Sequence, residues 1–345
     1  MAAAVKRAAS NDRFKVRVDV QYLGTRYCGW QPQADQLHPA VYRVLSAALN
    51  NVDPDFGGPV VAGRTDKGVH AAHQVCSVRA PRWAWKDPRS LRTAELLPAL
   101  NRALPDDVRV LRLTRVPKGF HAMTSARWKR YAYYVAVPKS GTEGRCEAPL
   151  TSVGEQSAPG VDNHLLLEPL SPPPPPPPPP AWTQAVWRRE GALDVNAVQR
   201  AAAVLVGTHD FRHLTSDRRK LDTRRTISAV SVEDVPTWNF PFVGRVSARA
   251  SAAGTADVGR LVRFAFEGDG FLKHQVRRMV GLLVLVASER LPEDAVRQAL
   301  GEQRPPWVSG QSGVVDLIAP PQGLWLEHVE VEMRGEEDPE DEWLS

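Results

Sequence analysis

The 345 residues are 43% hydrophobic and 24% charged, the balance of an ordinary globular chain long enough for two cored halves. Three scattered cysteines, Cys28, Cys76 and Cys146, exclude a disulfide framework and favour a reducing compartment. The net charge of +5 hides an asymmetry: residues 332–345 hold seven acids against one base, which leaves residues 1–331 at +11. A body that basic suits a polyanionic partner, nucleic acid first, although a solvated charged surface needs no partner.

Met1 to Asn11 is alanine-rich, carries Lys6 and Arg7 and lacks acids. That composition fits a short mitochondrial presequence and equally a frayed terminus, with a cytoplasmic or nuclear protein as the alternative. Phe14, Val16, Val18 and Val20 alternate with Lys15, Arg17 and Asp19, which predicts a half-buried strand. A loop follows, Tyr22-Leu23-Gly24-Thr25 to Gly29-Trp30-Gln31, and then helical spacing from Val41 to Leu49.

After Pro54 and Gly57-Gly58 comes Gly63-Arg64-Thr65-Asp66-Lys67-Gly68-Val69-His70-Ala71. Two glycines frame an arginine, an acid and a lysine, which predicts a tight loop holding one carboxylate in place. Taken alone, this is also the composition of a surface turn. A helix is expected over Ser90–Arg102 and a strand over Val108–Leu113. Between Val108 and Thr142 stand eight bases and no acid, interleaved with Phe120, Trp128, Tyr131, Tyr133 and Tyr134. Aromatic faces among cations suit bases and phosphates.

Residues 140–190 break the pattern. Ser171 precedes nine prolines, Pro172–Pro180, so an exposed polyproline II insertion is expected. It would fit the groove of an SH3 or WW domain, or serve as a passive spacer. Helical spacing returns over Ala192–Gly207, with Gly207 as its stop. A basic loop with Arg224-Arg225, a strand over Thr226–Val232 and another through Val262, Phe264 and Phe266 follow. Phe271–Ser288 is expected as a helix with Lys273, His274, Arg277 and Arg278 off its apolar stripe, then Leu291–Leu300 as a shorter one. Its apolar run is far short of the ~20 residues of a membrane span. A last strand ends near Val331, before an acidic tail expected to be disordered.

His70, His73 and Cys76 are potential metal ligands, but strand alternation would scatter them and no further cluster completes a zinc site, so no metal is expected. No glycine-rich phosphate loop or serine elbow is present, so no nucleotide cofactor or serine nucleophile is expected either.

The glycine-framed acid loop resembles the catalytic motif of the tRNA pseudouridine synthase A family. Six further stretches resemble that family in the same order: Tyr22–Gln31, Phe120-His121-Ala122 through Tyr133, Gly207–Phe211, Arg225 with Ile227, Phe271–Gly281, and Gly323–Leu326. Within it the sequence is most similar to the animal pseudouridylate synthase-like branch, some of whose members are assigned to mitochondria. The resemblance implies an α+β fold of two pseudo-symmetric halves, residues 14–118 and 119–331, with antiparallel sheets and helices around a basic RNA-binding cleft. It implies isomerisation of uridine to pseudouridine in tRNA, no cofactor, and a homodimer. Asp66 would be the nucleophile. Tyr131 would stack on the flipped uracil or take a proton, and Arg277 would pair with Asp66 and aim it. Arg64, Lys67, Arg130, Tyr131 and Arg225 would contact RNA. Met123 and Thr124 depart from the family pattern, which has arginine and then an aromatic after Phe-His-Ala.

Overall fold

The computed structural model describes residues 14–32, 38–87, 90–138, 186–189, 193–217, 219, 221–235, 258–308 and 317–333. The expected leader at 1–13, the Pro172–Pro180 run and the acidic tail from 334 lie outside these residues.

Alternation drives the first strand, β1 (Phe14–Tyr22), whose Val16, Val18 and Val20 are buried. The strands that follow are β2 (Val60–Val61), β3 (His70–Ala80), β4 (Trp85–Asp87), β5 (Ser90–Leu91) and β6 (Val108–Val116). The second half of the chain forms β7 (Ala126–Pro138), β8 (Trp187–Arg188), β9 (Gly207–Asp210), β10 (Arg224–Val235), β11 (Val258–Gly268) and β12 (Leu324–Val331). The helices are α1 (Val41–Val52), α2 (Thr93–Ala103), α3 (Val195–Ala203), α4 (Gln275–Ala287) and α5 (Ala295–Ala299).

Ten strands make one sheet, with the path β6-β1-β3-β12-β7-β11-β10-β9. Two copies of one topology lie within it. In the first half β1, α1, β2, β3, α2 and β6 follow in sequence, and the strands order as β6-β1-β3-β2. In the second half β7, α3, β10, β11, α4 and β12 follow, and the strands order as β12-β7-β11-β10. Each is a β-α-β-β-α-β unit with the same strand order. The units join where β12 runs parallel to β3, Trp325 beside His70 and Leu326 beside Ala71. The short β2 pairs with the other end of β3, at Cys76 and Ser77.

The four longer helices bury their apolar residues, among them Leu45, Leu100, Val198 and Met279, in one core that also holds Tyr131, Tyr133 and Val135 of β7. The intervening Ala132, Tyr134 and Ala136 belong to a smaller cluster with Leu23, Leu261 and Trp325 on the opposite face. Eleven of the thirteen residues of α4 are buried, so its apolar run is a core element. No helix among the described residues is long and apolar enough to cross a membrane.

Several boundaries differ from expectation. The helix expected from Phe271 starts at Gln275, because His274 is left-handed at φ 60° and residues before it form a turn. The helix expected over 192–207 spans Val195–Ala203; Asp194 caps it by accepting from the backbone N–H groups of Asn196 and Ala197 at 2.9 and 3.1 Å. Gly207 opens β9 and does not stop that helix. The helix expected over 90–102 runs Thr93–Ala103 and keeps Pro98 inside. The one expected over 291–300 shrinks to α5. The insertion expected to reach 190 ends earlier, since β8 pairs with β7 and Trp187 packs edge-on to Tyr133 at 6.1 Å.

Candidate active site

Asp66 lies in the loop from β2 to β3, and the first loop of the chain braces it from behind. Thr65 accepts the Trp30 N–H at its carbonyl (3.1 Å), and its hydroxyl meets Tyr22 Oη at 2.8 Å. The Gly68 N–H donates to the Tyr27 carbonyl at 3.2 Å, and Val69 N–H closes a turn on the Asp66 carbonyl at 3.1 Å. Gln74 Nε2 donates to the Gly63 carbonyl at 2.7 Å. The two loops touch so closely that glycine is required between them. A Cβ on Gly24 would stand 1.9 Å from the Val69 carbonyl oxygen, and one on Gly29 2.6 Å from that of Thr65. Gly29 also has φ +104°.

His70 ties this assembly to the second half. Its Nδ1 accepts the Gly24 N–H at 2.9 Å, so Nε2 carries the proton and donates to the Gln322 carbonyl at 3.1 Å. Its ring stacks on Trp325, centroids 4.6 Å apart. Full burial depresses its pKa to about 3, against a smaller opposing effect of the Gln322 carbonyl, so it is neutral in ordinary buffers. The other two candidate metal ligands are engaged separately. His73 pairs with Asp19 at 3.6 Å and stacks on His328, and Cys76 is buried, which pushes its thiol pKa up.

Beside Asp66 opens a cavity of about 830 Å³, room enough for a nucleotide. One wall is Gly63–Asp66; the other is Phe271–Val276, the turn that enters α4. Lys129, Tyr131 and Leu324 also line it, with Arg225 and Met123. Asp66 is 38% exposed and pairs with His274, Oδ2 to Nε2 at 3.6 Å. Tyr131 is buried and meets Phe271 edge-on at 5.1 Å. Burial, with Tyr22 and Asp66 nearby, raises its pKa and keeps the phenol protonated. Burial lowers the Lys129 pKa, against the pull of Asp269.

The expected residues divide accordingly. Asp66, Arg64, Tyr131 and Arg225 share the cavity. Lys67 is exposed and outside its lining. Arg130 lies outside the cavity: it pairs with Glu267 at 2.8 Å and lies over Trp128 at 5.4 Å, on the sheet face away from Tyr131. Adjacent strand residues point to opposite faces, so Lys129 takes the cavity position. Arg277 was expected to hold Asp66. Its Nε donates to the Ala319 carbonyl at 2.6 Å, and His274 is a further residue that faces Asp66. Sequence reasoning missed Lys129 and His274 as site residues. The period of two from Tyr131 points to Lys129, whereas His274 needs the turn before α4, which no local pattern announces.

A family model described as tRNA pseudouridine synthase matches residues 201–331, which include the wall carrying Arg225, Phe271 and His274. A tRNA pseudouridine synthase A of Nitratidesulfovibrio vulgaris is 31% identical over 91% of this chain and 99% of its own length. The chain belongs to the tRNA pseudouridine synthase A family. Proteins of the same description from Myxococcus xanthus and a Thermoanaerobacter species are 30% and 29% identical, over 91% and 90% of this chain and 91% and 97% of their own lengths. In this chain the acid loop comes from one half and its facing wall from the other, so the cavity needs both copies of the β-α-β-β-α-β unit.

Proposed function

We propose that the protein converts uridine to pseudouridine in tRNA, with Asp66 as the essential carboxylate. The observation that carries this is the meeting of Asp66 and Tyr131 across one basic cavity in a chain of this family. The target base leaves its stack to enter, at a cost of a few kcal/mol. The N1–C1′ bond breaks, the detached uracil turns, and C5 bonds to C1′ while the C5 proton is lost and N1 gains one. Asp66 acts on C1′ or on the ring. Tyr131, held protonated, offers a flat face and a hydroxyl donor to the base. Arg64, Lys129 and Arg225 supply positive charge for the phosphates around the flipped nucleotide.

Met123 favours a second reading, an RNA other than tRNA or binding without turnover. It is half exposed at the cavity, where the family pattern has arginine. Pseudouridine mapping of total RNA with and without the protein decides between the readings. Loss of signal at tRNA uridines supports the proposal; loss only in other RNAs, or no loss anywhere, contradicts it.

The mitochondrial location rests on the acid-free, alanine-rich first eleven residues. A reporter fused behind residues 1–13 that stays in the cytosol contradicts it. The homodimer is supported by family resemblance, and a docking role for Pro172–Pro180 by composition. A monomer by light scattering, or unchanged modification after deletion of the prolines, counts against each in turn.

A further inference from the structure

We infer that His274 is the positioning residue for the Asp66 carboxylate, the last member of a relay running Arg278, Ser216, His274, Asp66. The Arg278 Nε–H donates to Ser216 Oγ at 3.2 Å. That contact takes one lone pair of the hydroxyl, which can still donate its hydrogen to His274 Nδ1, 2.8 Å away. The Asp66 carboxylate, with Oδ2 3.6 Å from Nε2, favours the tautomer that carries the proton there and leaves Nδ1 to accept from Ser216. In that tautomer the relay turns an N–H toward the carboxylate. The distance is longer than a hydrogen bond, as such contacts often are before substrate arrives.

The backbone supports this aim. His274 has φ 60° and ψ 8° at the start of α4, a conformation uncommon outside glycine and concentrated at ligand sites. The Ser216 N–H and the Thr215 hydroxyl both hold the Lys273 carbonyl, at 3.1 and 3.2 Å, so the turn cannot drift from the 215–217 loop. His274 is 21% exposed at its side chain and lines the cavity.

Charges surround the imidazole. Asp66 faces it from the β2–β3 loop, Lys273, Arg277 and Arg278 from its own element, and Asp217, Lys129 and Arg225 line the same cavity. Burial lowers the His274 pKa, Asp66 opposes that, and the three neighbouring cations add to it. These effects together favour the neutral imidazole beside Asp66.

The kinetic consequence rests on the pseudouridine synthase reading, but the relay rests on geometry. Two measurements keep them apart. The first follows the His274 ring proton of the free protein by NMR through a pH titration. Asp66→Asn removes the opposing anion and is expected to move the His274 midpoint to lower pH; an unmoved midpoint overturns the coupling. The second measures tritium release from tRNA transcripts carrying 5-tritiated uridine. His274→Ala is expected to lower kcat about 10- to 100-fold with KM within about twofold, the scale of a misplaced reacting group. His274→Gln, whose amide reaches the Nε2 position, is expected to recover most of that loss. Undiminished kcat in His274→Ala overturns the inference, as does an equal loss in both variants at wild-type melting temperature. No release by the wild-type protein would instead overturn the functional reading, and the titration would still decide the relay.

Discussion

Asp66 and Tyr131 draw their chemistry from opposite treatments of solvent. The carboxylate is over a third exposed and meets a histidine, whereas the phenol is buried beneath Phe271. Lys129 and Arg130 form a natural experiment beside them. Lys129→Ala is expected to lower kcat/KM at least tenfold, because a cation leaves the cavity wall. Arg130→Ala breaks a partly exposed ion pair with Glu267, costs at most about 1 kcal/mol of stability, and leaves turnover near wild type. Steady-state kinetics of the two variants would reverse this order if Arg130 were the RNA contact. Met123→Arg adds a cation at an exposed cavity position. RNA affinity is expected to rise at low salt, and its log–log salt slope to steepen by about 0.7 to 0.9, one released counterion. An unchanged slope would place that side chain away from the phosphates. At this scale Asp66, Tyr131 and Arg225 were legible as residues of known type in a resembling motif. Which neighbour shares their face was legible only through strand period, and the partner of Asp66 lies 208 positions away along the chain, beyond any local pattern.

The elements that matter most are loops held by other loops. The Tyr22–Gln31 stretch contributes no side chain to the reaction as proposed, except where Gln31 touches the cavity rim. Its work is to fix the acid loop through the backbone contacts at Gly24, Tyr27 and Trp30. Gly24→Ala is therefore expected to destabilise the protein by about 1–3 kcal/mol or more and to reduce kcat in the folded fraction. Wild-type melting and wild-type kcat in that variant would show that the two loops are independent. The helices were legible by their apolar stripes, but their ends were not. The delayed start of α4 comes from the left-handed His274, and tertiary hydrogen bonds to the 215–217 loop hold the turn there.

At the scale of the molecule, two β-α-β-β-α-β units share one sheet, and His70 lies on their seam between the Gly24 N–H and the Gln322 carbonyl. A neutral buried histidine makes the seam acid-sensitive. Its folded pKa, about 3, is below the unfolded value of 6.5, so between those values the unfolded chain binds the extra proton. Its stabilising contribution is fully present above pH 6.5 and falls by about 1.4 kcal/mol per pH unit as pH drops toward 3. His70→Gln should melt lower at pH 7.5 but show a shallower loss of stability between pH 6.5 and 4.5. A slope as steep as wild type would place the acid sensitivity elsewhere. The duplication behind this seam was invisible in residue patterns, because the halves match in strand order and not in residue spacing. The family resemblance implied it, and the strand order displays it.

The central claim is that this two-unit fold isomerises uridine through Asp66. The direct test is tritium release from 5-tritiated uridine in tRNA by the purified wild-type protein and by Asp66→Asn, each checked for folding and tRNA binding. Release by the wild type, with none above background in a folded, tRNA-binding Asp66→Asn, is the predicted result. Equal release by both proteins, or none from the wild type with any tRNA, would contradict it.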